Sequence, residues 1–323
     1  MRWTNIDPYP FHVSQWPKSI VSYADYGGGE RLQLSWDLGR ISEKEKKQAI
    51  KLWSEKLPEL HDVRRLSLWS HVTPPLFESA CRMPNLECLQ IKWSNVRDVS
   101  AIGNLRQLCY LRFGSSTKIE SIEPFAALSN LRLLEIENFK LVSDFSPLTR
   151  LTSLESLAVT GSMWTRQNIG TLDTFAQMTW LRSLALDTSK IKTLRPLANL
   201  RELEFLDLGN RLPMAEYAWL SAMLPNTECR WFKPYLDLAG IGFNRCAQCK
   251  QDSKVMLTGK GAKLLCRFCD SKQIEGHELA FAAVQARALA AHEVASVGGT
   301  QLRRGTGDGI PSHVQTTSAP RRR

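Results

Sequence analysis

The sequence predicts an α/β solenoid: a curved parallel sheet with a β/α cap before it and a small cysteine-held module after it. Three observations predict this. A pattern of the form apolar-x-x-Leu-x-apolar recurs seven times at nearly constant spacing. A second apolar motif follows most of the copies. Beyond the last copy, four cysteines stand in two tight pairs.

The first motif runs through Val63-Leu66-Leu68, Leu86-Leu89-Ile91, Leu108-Leu111-Phe113 and Leu131-Leu134-Ile136. It continues at Leu154-Leu157-Val159, Leu181-Leu184-Leu186 and Leu203-Leu206-Leu208. The copies begin 23, 22, 23, 23, 27 and 22 residues apart, a register that chance does not keep. Leu-x-Leu is the alternation of a short strand with its leucines turned inward, so each copy supplies one strand. The second motif appears at Val96–Ile102, Ile119–Phe125, Leu141–Leu148 and Ile191–Leu197. Its prolines Pro124, Pro147 and Pro196 suit the first turn of a short helical or 3₁₀ segment on the opposite side. One such unit cannot bury its apolar face alone, so neighbours must stack and the ends need caps.

Period and residue types together resemble leucine-rich repeats of the short, internalin-like bacterial class, over about residues 60–232. The asparagine usual after the strand in that family is mostly absent here, which implies less regular internal hydrogen bonding. Residues 61–235 are therefore read as the solenoid, with a degenerate terminal copy at Thr227–Phe232. Residues 1–60 are read as the N-terminal cap. Within it Leu32–Trp36 alternates like a strand, and Ser42–Glu45 forms a capping box ahead of a helix holding Ala49, Ile50, Leu52 and Trp53. The longest spacing marks an insertion, Gly161–Gln167, with Met163 and Trp164. It is either a partner-contacting loop or a packed one.

The residues between the strand leucines should line the concave face. Those expected to contact a partner are Arg65, Trp69, Gln90, Lys92, Tyr110 and Arg112, followed by Glu135, Glu137, Asp187, Phe205 and Asp207. Early strands carry cations and aromatic rings, and later strands carry carboxylates, a polarity suited to a protein of opposite polarity. Those carboxylates argue against nucleic acid lying along the whole groove.

Cys246-x-x-Cys249 and Cys266-x-x-Cys269, sixteen residues apart, have the spacing of a tetrahedral zinc site. Residues 243–273 are similar to a zinc ribbon, with two short strands expected around Gly259-Lys260-Gly261. Four thiolates leave no open position for water, so Zn²⁺ here would be structural. The basic residues around it, with Phe268, make contact with RNA or DNA an alternative role. Residues 275–296 are read as a helix with a stripe of Leu279, Phe281, Val284, Leu289 and Val294. Residues 298–323 are read as a disordered basic tail.

Composition narrows the function. The net charge of +10 is concentrated partly in the tail, where five arginines after Val297 face one aspartate. The sequence MRWTNIDPYPFHVSQWPKSI lacks the apolar run and cleavage site of an export signal, and no stretch is apolar enough to span a bilayer. A cytoplasmic protein with reduced cysteines is expected, with no membrane association and no small-molecule substrate. No His-Glu-x-x-His, Gly-x-Ser-x-Gly or phosphate-loop motif occurs. The expectation is a non-catalytic protein-recognition module binding its partner through the concave face. The alternative is a nucleic-acid-associated adaptor acting through ribbon and tail.

Overall fold

The computed structural model describes residues 3–36, 41–162, 164–241 and 245–301, and side chains as far as residue 294. Met163 and the tail from residue 302 lie outside the described residues.

Eight strands form one parallel sheet in strict sequence order. They are β1 (Arg31–Ser35), β2 (Arg65–Val72), β3 (Cys88–Ser94), β4 (Tyr110–Gly114), β5 (Leu133–Glu137), β6 (Ser156–Thr160), β7 (Ser183–Leu186) and β8 (Phe205–Leu208). Each of the seven repeat copies supplies one strand, and Leu32–Trp36 supplies the first one as expected. The register is in phase throughout, with Leu66, Leu89, Leu111, Leu134, Leu157, Leu184 and Leu206 opposite one another. All seven are buried and share a single continuous core.

The return path of each repeat is short. Helical 3₁₀ turns at Ser100–Asn104, Glu123–Ala127, Ser146–Arg150 and Arg195–Asn199 stand where the second motif places them, three of them with proline in the first turn. Helices stand in place of the 3₁₀ turn at α2 (Pro74–Ala80), at α3 (Asp173–Ala176) in the 27-residue repeat, and at α4 (Met214–Met223). Between the two layers Phe113 packs edge-on to Phe139, with ring centroids 5.2 Å apart, and Phe77 and Phe125 complete the cluster.

The N-terminal helix α1 (Glu43–Lys56) starts at the capping box, where Ser42 and Glu45 satisfy each other's backbone N–H groups. Its Trp53 is fully buried and donates to the Val21 carbonyl at 2.8 Å. Residues 3–16 do not join this cap. They cross the concave face of the sheet, a path that no periodicity signals.

At the other end β9 (Tyr235–Asp237), β10 (Lys254–Leu257) and β11 (Leu264–Cys266) make a small antiparallel sheet. The two short strands expected around Gly259-Lys260-Gly261 are present as β10 and β11, and β9 adds a third at Tyr235–Asp237. The hairpin docks on the last repeat: Lys260 N–H donates to Leu212 O, and Gly259 N–H donates to Asn210 Oδ1. Gly259 has φ +121°, and a Cβ there would stand 2.8 Å from Met214 N, so glycine is required by conformation and by proximity.

Helix α5 (Ser271–Gln301) begins directly after the last cysteine and packs along α4. It runs beyond the expected end at residue 296. Its buried side is Ile274, Phe281 and Ala288, with Val284 packed beside them. Leu279, Leu289 and Val294 of the expected stripe are exposed instead, because the 3.6-residue period puts them off the α4 contact.

Candidate functional site

The outward side chains of the sheet fall into three rows, one per pleat. The first holds Arg65, Cys88, Tyr110, Leu133, Ser156, Ser183 and Phe205. The second holds Ser67, Gln90, Arg112, Glu135, Ala158, Ala185 and Asp207. The third holds Trp69, Lys92, Gly114, Glu137 and Thr160. Every residue expected on the concave face falls in these rows except Asp187, which follows β7 directly.

Residues 3–16 lie over the first two rows and travel from β7 back toward β1. Asn5 is clamped by two serines: its N–H donates to Ser183 Oγ at 3.1 Å, and its side-chain oxygen accepts from Ser156 and Ser183. Thr4 Oγ1 lies 2.7 Å from Ser156 Oγ. Ile6 and Phe11 are buried against a floor of Cys88 and Leu133. The Tyr9 hydroxyl donates to Glu135, and Arg65 donates to Pro10 O at 2.6 Å while its guanidinium lies 5.4 Å from the Trp16 ring. Arg31 donates to Gln15 O and fixes the segment's far end. This strap removes Gln90 and Glu135 from solvent and half-buries Arg65, Tyr110 and Arg112.

Much of the expected charge polarity is neutralised within the face. Arg112 Nε stands 3.3 Å from Glu135, and Lys92 donates to both oxygens of Glu137 at 2.8 and 2.6 Å. Lys92 and Glu137 are two strands apart. They meet because Gly114 lies between them, where a Cβ would come within 3.2 Å of each side chain. Asp207 pairs with Arg230, and Asp187 accepts the N–H groups of Gln167 and Ser189, so both serve the fold. The strap leaves the third row uncovered, and its members are half-buried apart from the buried Gly114. Trp69 meets Trp93 edge-on at 6.3 Å, Trp93 is 51% exposed, and Lys92 lies 6.0 Å from the Trp93 ring. Trp164, in the insertion, is 89% exposed.

Burial under the strap pushes the Glu135 carboxyl above its ordinary value of 4.5, against the pull of Arg112, Tyr9 and Lys92 and with the push of Glu137. Closing the strap therefore favours the protonated carboxyl. The contribution is full below the ordinary value and is lost as pH rises through the raised one. Protection of strap amides from hydrogen exchange, corrected for intrinsic rates, is expected to be greater near about pH 5 than near about pH 8. Glu135→Gln should flatten the difference, and a pH dependence unchanged by that substitution would exclude Glu135 as its source.

The second candidate centre is the cysteine cluster. The Sγ atoms of Cys246, Cys249, Cys266 and Cys269 all lie within 4.8 Å of one another, at 3.8 Å for Cys246–Cys269 and 3.5 Å for Cys249–Cys266. Four sulfurs bound at about 2.3 Å to one tetrahedral ion would sit roughly 3.8 Å apart, so the set fits such an ion. Ser253 Oγ, 3.1 Å from Cys266 Sγ, is the main cause of a Cys266 pKa lowered to about 6. The backbone N–H groups of Cys249 and Gln248 lower that of Cys246. Cys269 is pushed up to about 12, by desolvation and then by the neighbouring sulfurs. Four thiolates this close need a cation between them. These cysteines could hold a metal ion.

One strand per repeat, a 22–27-residue period and short 3₁₀ return turns decide the architecture. The chain has the leucine-rich-repeat fold. Among solved structures it is similar to internalin C2 of Listeria monocytogenes, at 23% identity over 48% of this chain and 67% of that one, with a TM-score of 0.39. A second similarity is to an internalin F of the same organism, at 22% identity over 62% and 60% of the two chains, with a TM-score of 0.42. A third is to a leucine-rich-repeat protein of Leptospira interrogans, at 16% identity over 66% and 58%, with a TM-score of 0.45. The chain thus spans about three fifths of the length of the latter two. No protein-family model matches the sequence, and no curated protein matches it. Among the described residues, no helix is long and apolar enough to cross a membrane.

Two features of this leucine-rich-repeat chain escaped sequence reasoning. The strap has no repeat or period, although its density of aromatic and proline residues marks it as unlike a polar terminus. Gln167, the last residue of the insertion, is fully buried and bridges back to the preceding repeat.

Proposed function

We propose that this chain is a non-catalytic protein-recognition module whose partner docks on the concave side of the leucine-rich-repeat sheet. A structural Zn²⁺ in the four-cysteine site would hold its C-terminal module. The observation that carries the reading is the third row, which the strap leaves uncovered: Trp69, Lys92 and Glu137, with the exposed Trp93 beside them, form an aromatic, charge-paired strip on a rigid sheet. Tryptophans so placed are the side chains that dominate the energetics of protein interfaces, and a paired rim contributes register more than affinity. Cytoplasmic residence belongs to the same proposal.

The test is affinity purification of the full chain from its native cells, with and without nuclease, beside the Trp69→Ala/Trp93→Ala variant. A protein partner that survives nuclease and is reduced at least tenfold by the double substitution is the expected result. Material that is nuclease-sensitive and indifferent to the substitutions would transfer the function to the C-terminal module.

That second reading is favoured by one observation. Phe268 is 68% exposed at the tip of the second cysteine knuckle, and Lys260, Lys263 and Lys272 are exposed nearby. An exposed ring among lysines suits base stacking with phosphate contacts. Arg267 counts against it, being bound to Asp237 at 2.9 Å and lying against the Tyr235 ring.

A further inference from the structure

The groove formed by the first two rows already contains a peptide, and that peptide fits it incompletely. Ser67 Oγ and Gln90 Oε1 stand side by side in the second row, over which the strap runs, in side chains almost wholly excluded from solvent, and neither has a hydrogen-bond partner among the described residues. Arg65 Nε and the Trp16 indole N–H, at the strap's β2 end, are in the same state. Buried polar atoms in native proteins are nearly always bonded, so a concentration of exceptions under one segment is a property of that segment's fit.

The attachment is of the exchangeable kind. The strap joins no strand ladder: the eight strands pair only with one another, apart from isolated bridges that do not involve residues 3–16. It is held by side chains instead. The Ser156–Ser183 pair holds an amide, Glu135 takes a phenol hydroxyl, and the Cys88–Leu133 floor takes two apolar side chains. Arg65 takes a carbonyl. None of these partners needs the incoming chain to be covalently attached.

We propose that residues 3–16 are a resident pseudo-ligand, and that the groove beneath them binds an extended, aromatic-bearing polypeptide segment of the partner, which displaces them. The displacing segment carries a side-chain amide for the two serines and, four residues on, a hydroxyl or amide donor for Glu135, as Asn5 and Tyr9 do. It also supplies polar groups that reach Ser67 and Gln90, which the strap leaves unpaired. This is how an outside segment gains over a tethered one whose effective concentration is in the millimolar range. The proposal rests on the recognition reading above and extends the partner's footprint from the open row to the covered ones.

The probe is a fluorescent synthetic peptide with the sequence of residues 3–16, titrated into the full-length chain and followed by anisotropy. Wild type is expected to bind it weakly, because the resident copy competes. The Asn5→Ala/Tyr9→Phe chain is expected to bind it at least tenfold more tightly. A peptide carrying those same two substitutions should bind neither chain. Equal affinity of wild type and variant for the unaltered peptide, or no binding to either, overturns the proposal.

Hydrogen exchange on unaltered full-length chain tests the same point without a variant. Amides of residues 6–12 that exchange at least a hundredfold faster than those of β4 and β5 show independent opening. Equal protection shows a strap that leaves only when the solenoid unfolds, and also overturns the proposal. Neither failure alters what Trp69→Ala/Trp93→Ala does to a co-purifying partner, so the two readings fail separately.

Discussion

With the proposed zinc ion in the four-cysteine cluster, stripping it is expected to unfold residues 235–270 and leave the eight-stranded sheet intact. The module's own apolar core is Val255, Leu265 and Ile274, with Tyr235 and Leu257 packed against it. A core of this size is too small to order some 35 residues, since small modules ordinarily need a metal or a disulfide to fold. A structural zinc ion supplies on the order of 10–16 kcal/mol of apparent binding free energy in such modules, and that free energy is folding free energy. The solenoid does not depend on it, because its leucine ladder is continuous from β1 to β8.

Helix α5 should respond in an intermediate way. Its N-terminal end follows Cys269 and Asp270, whereas Phe281 belongs to the main core and Gln285 donates to Ser221 on α4. Purified chain should therefore contain a single tightly held zinc ion. Chelation, or Cys246→Ser with Cys266→Ser, should speed amide exchange in β9, β10 and β11 by orders of magnitude. The middle of α5 should change far less, and Cys109→Ser, a half-buried cysteine outside the cluster, should change neither zinc content nor exchange. Metal-free protein with full protection in β10 would refute a structural metal.

The contrast between the two ends of the chain explains what could be read in the sequence. The leucine register was legible because each strand obeys the same constraint: a two-residue alternation facing one shared core. The cysteine cluster was legible because ligand spacing is set by a tight turn within each pair. The strap obeys neither rule. Asn5, Tyr9 and Phe11 contact residues more than seventy positions away, and nothing local in WTNIDPYPF encodes a partner of that kind. The same limit applies to the charges. Lys92 and Glu137 could be assigned to one face, but their pairing depends on Gly114 on the strand between them, a juxtaposition that only register reveals. The expected polarised face is thus a face of matched pairs with an aromatic strip left open.

Gln167→Ala is expected to cost about 2–4 kcal/mol, more than its place in an inserted loop would indicate. The turn after β5 lacks the side chain that its neighbours use. After β3 and β4, Ser94 and Ser116 bond to each other at 2.7 Å and Ser116 donates to Gly114 O. After β5 stand Asn138, whose side-chain oxygen has no partner among the described residues, and Phe139, which serves the core. Gln167 reaches across from the next repeat instead. Its Oε1 accepts from Phe139 N–H at 2.9 Å, and its Nε2 donates to Phe139 O at 2.8 Å and to Val142 O at 3.3 Å. Truncation leaves one buried donor, Phe139 N–H, and one acceptor, Val142 O, unsatisfied, since Phe139 O still accepts from Val142 N–H at 3.0 Å; each is worth about 1–3 kcal/mol before relaxation. In a solenoid a repeat is stabilised by its neighbours, so the loss falls on the β5–β6 interface rather than being shared. Urea denaturation should show a lower midpoint together with a lower slope, as the two halves of the sheet begin to unfold separately. Gln167→Glu, which sets a buried carboxyl oxygen against the Phe139 and Val142 carbonyls, should cost at least as much as alanine at neutral pH. A loss below about 1 kcal/mol for alanine would mean that solvent replaces the amide, and that the insertion is free to serve the binding surface carrying Trp164.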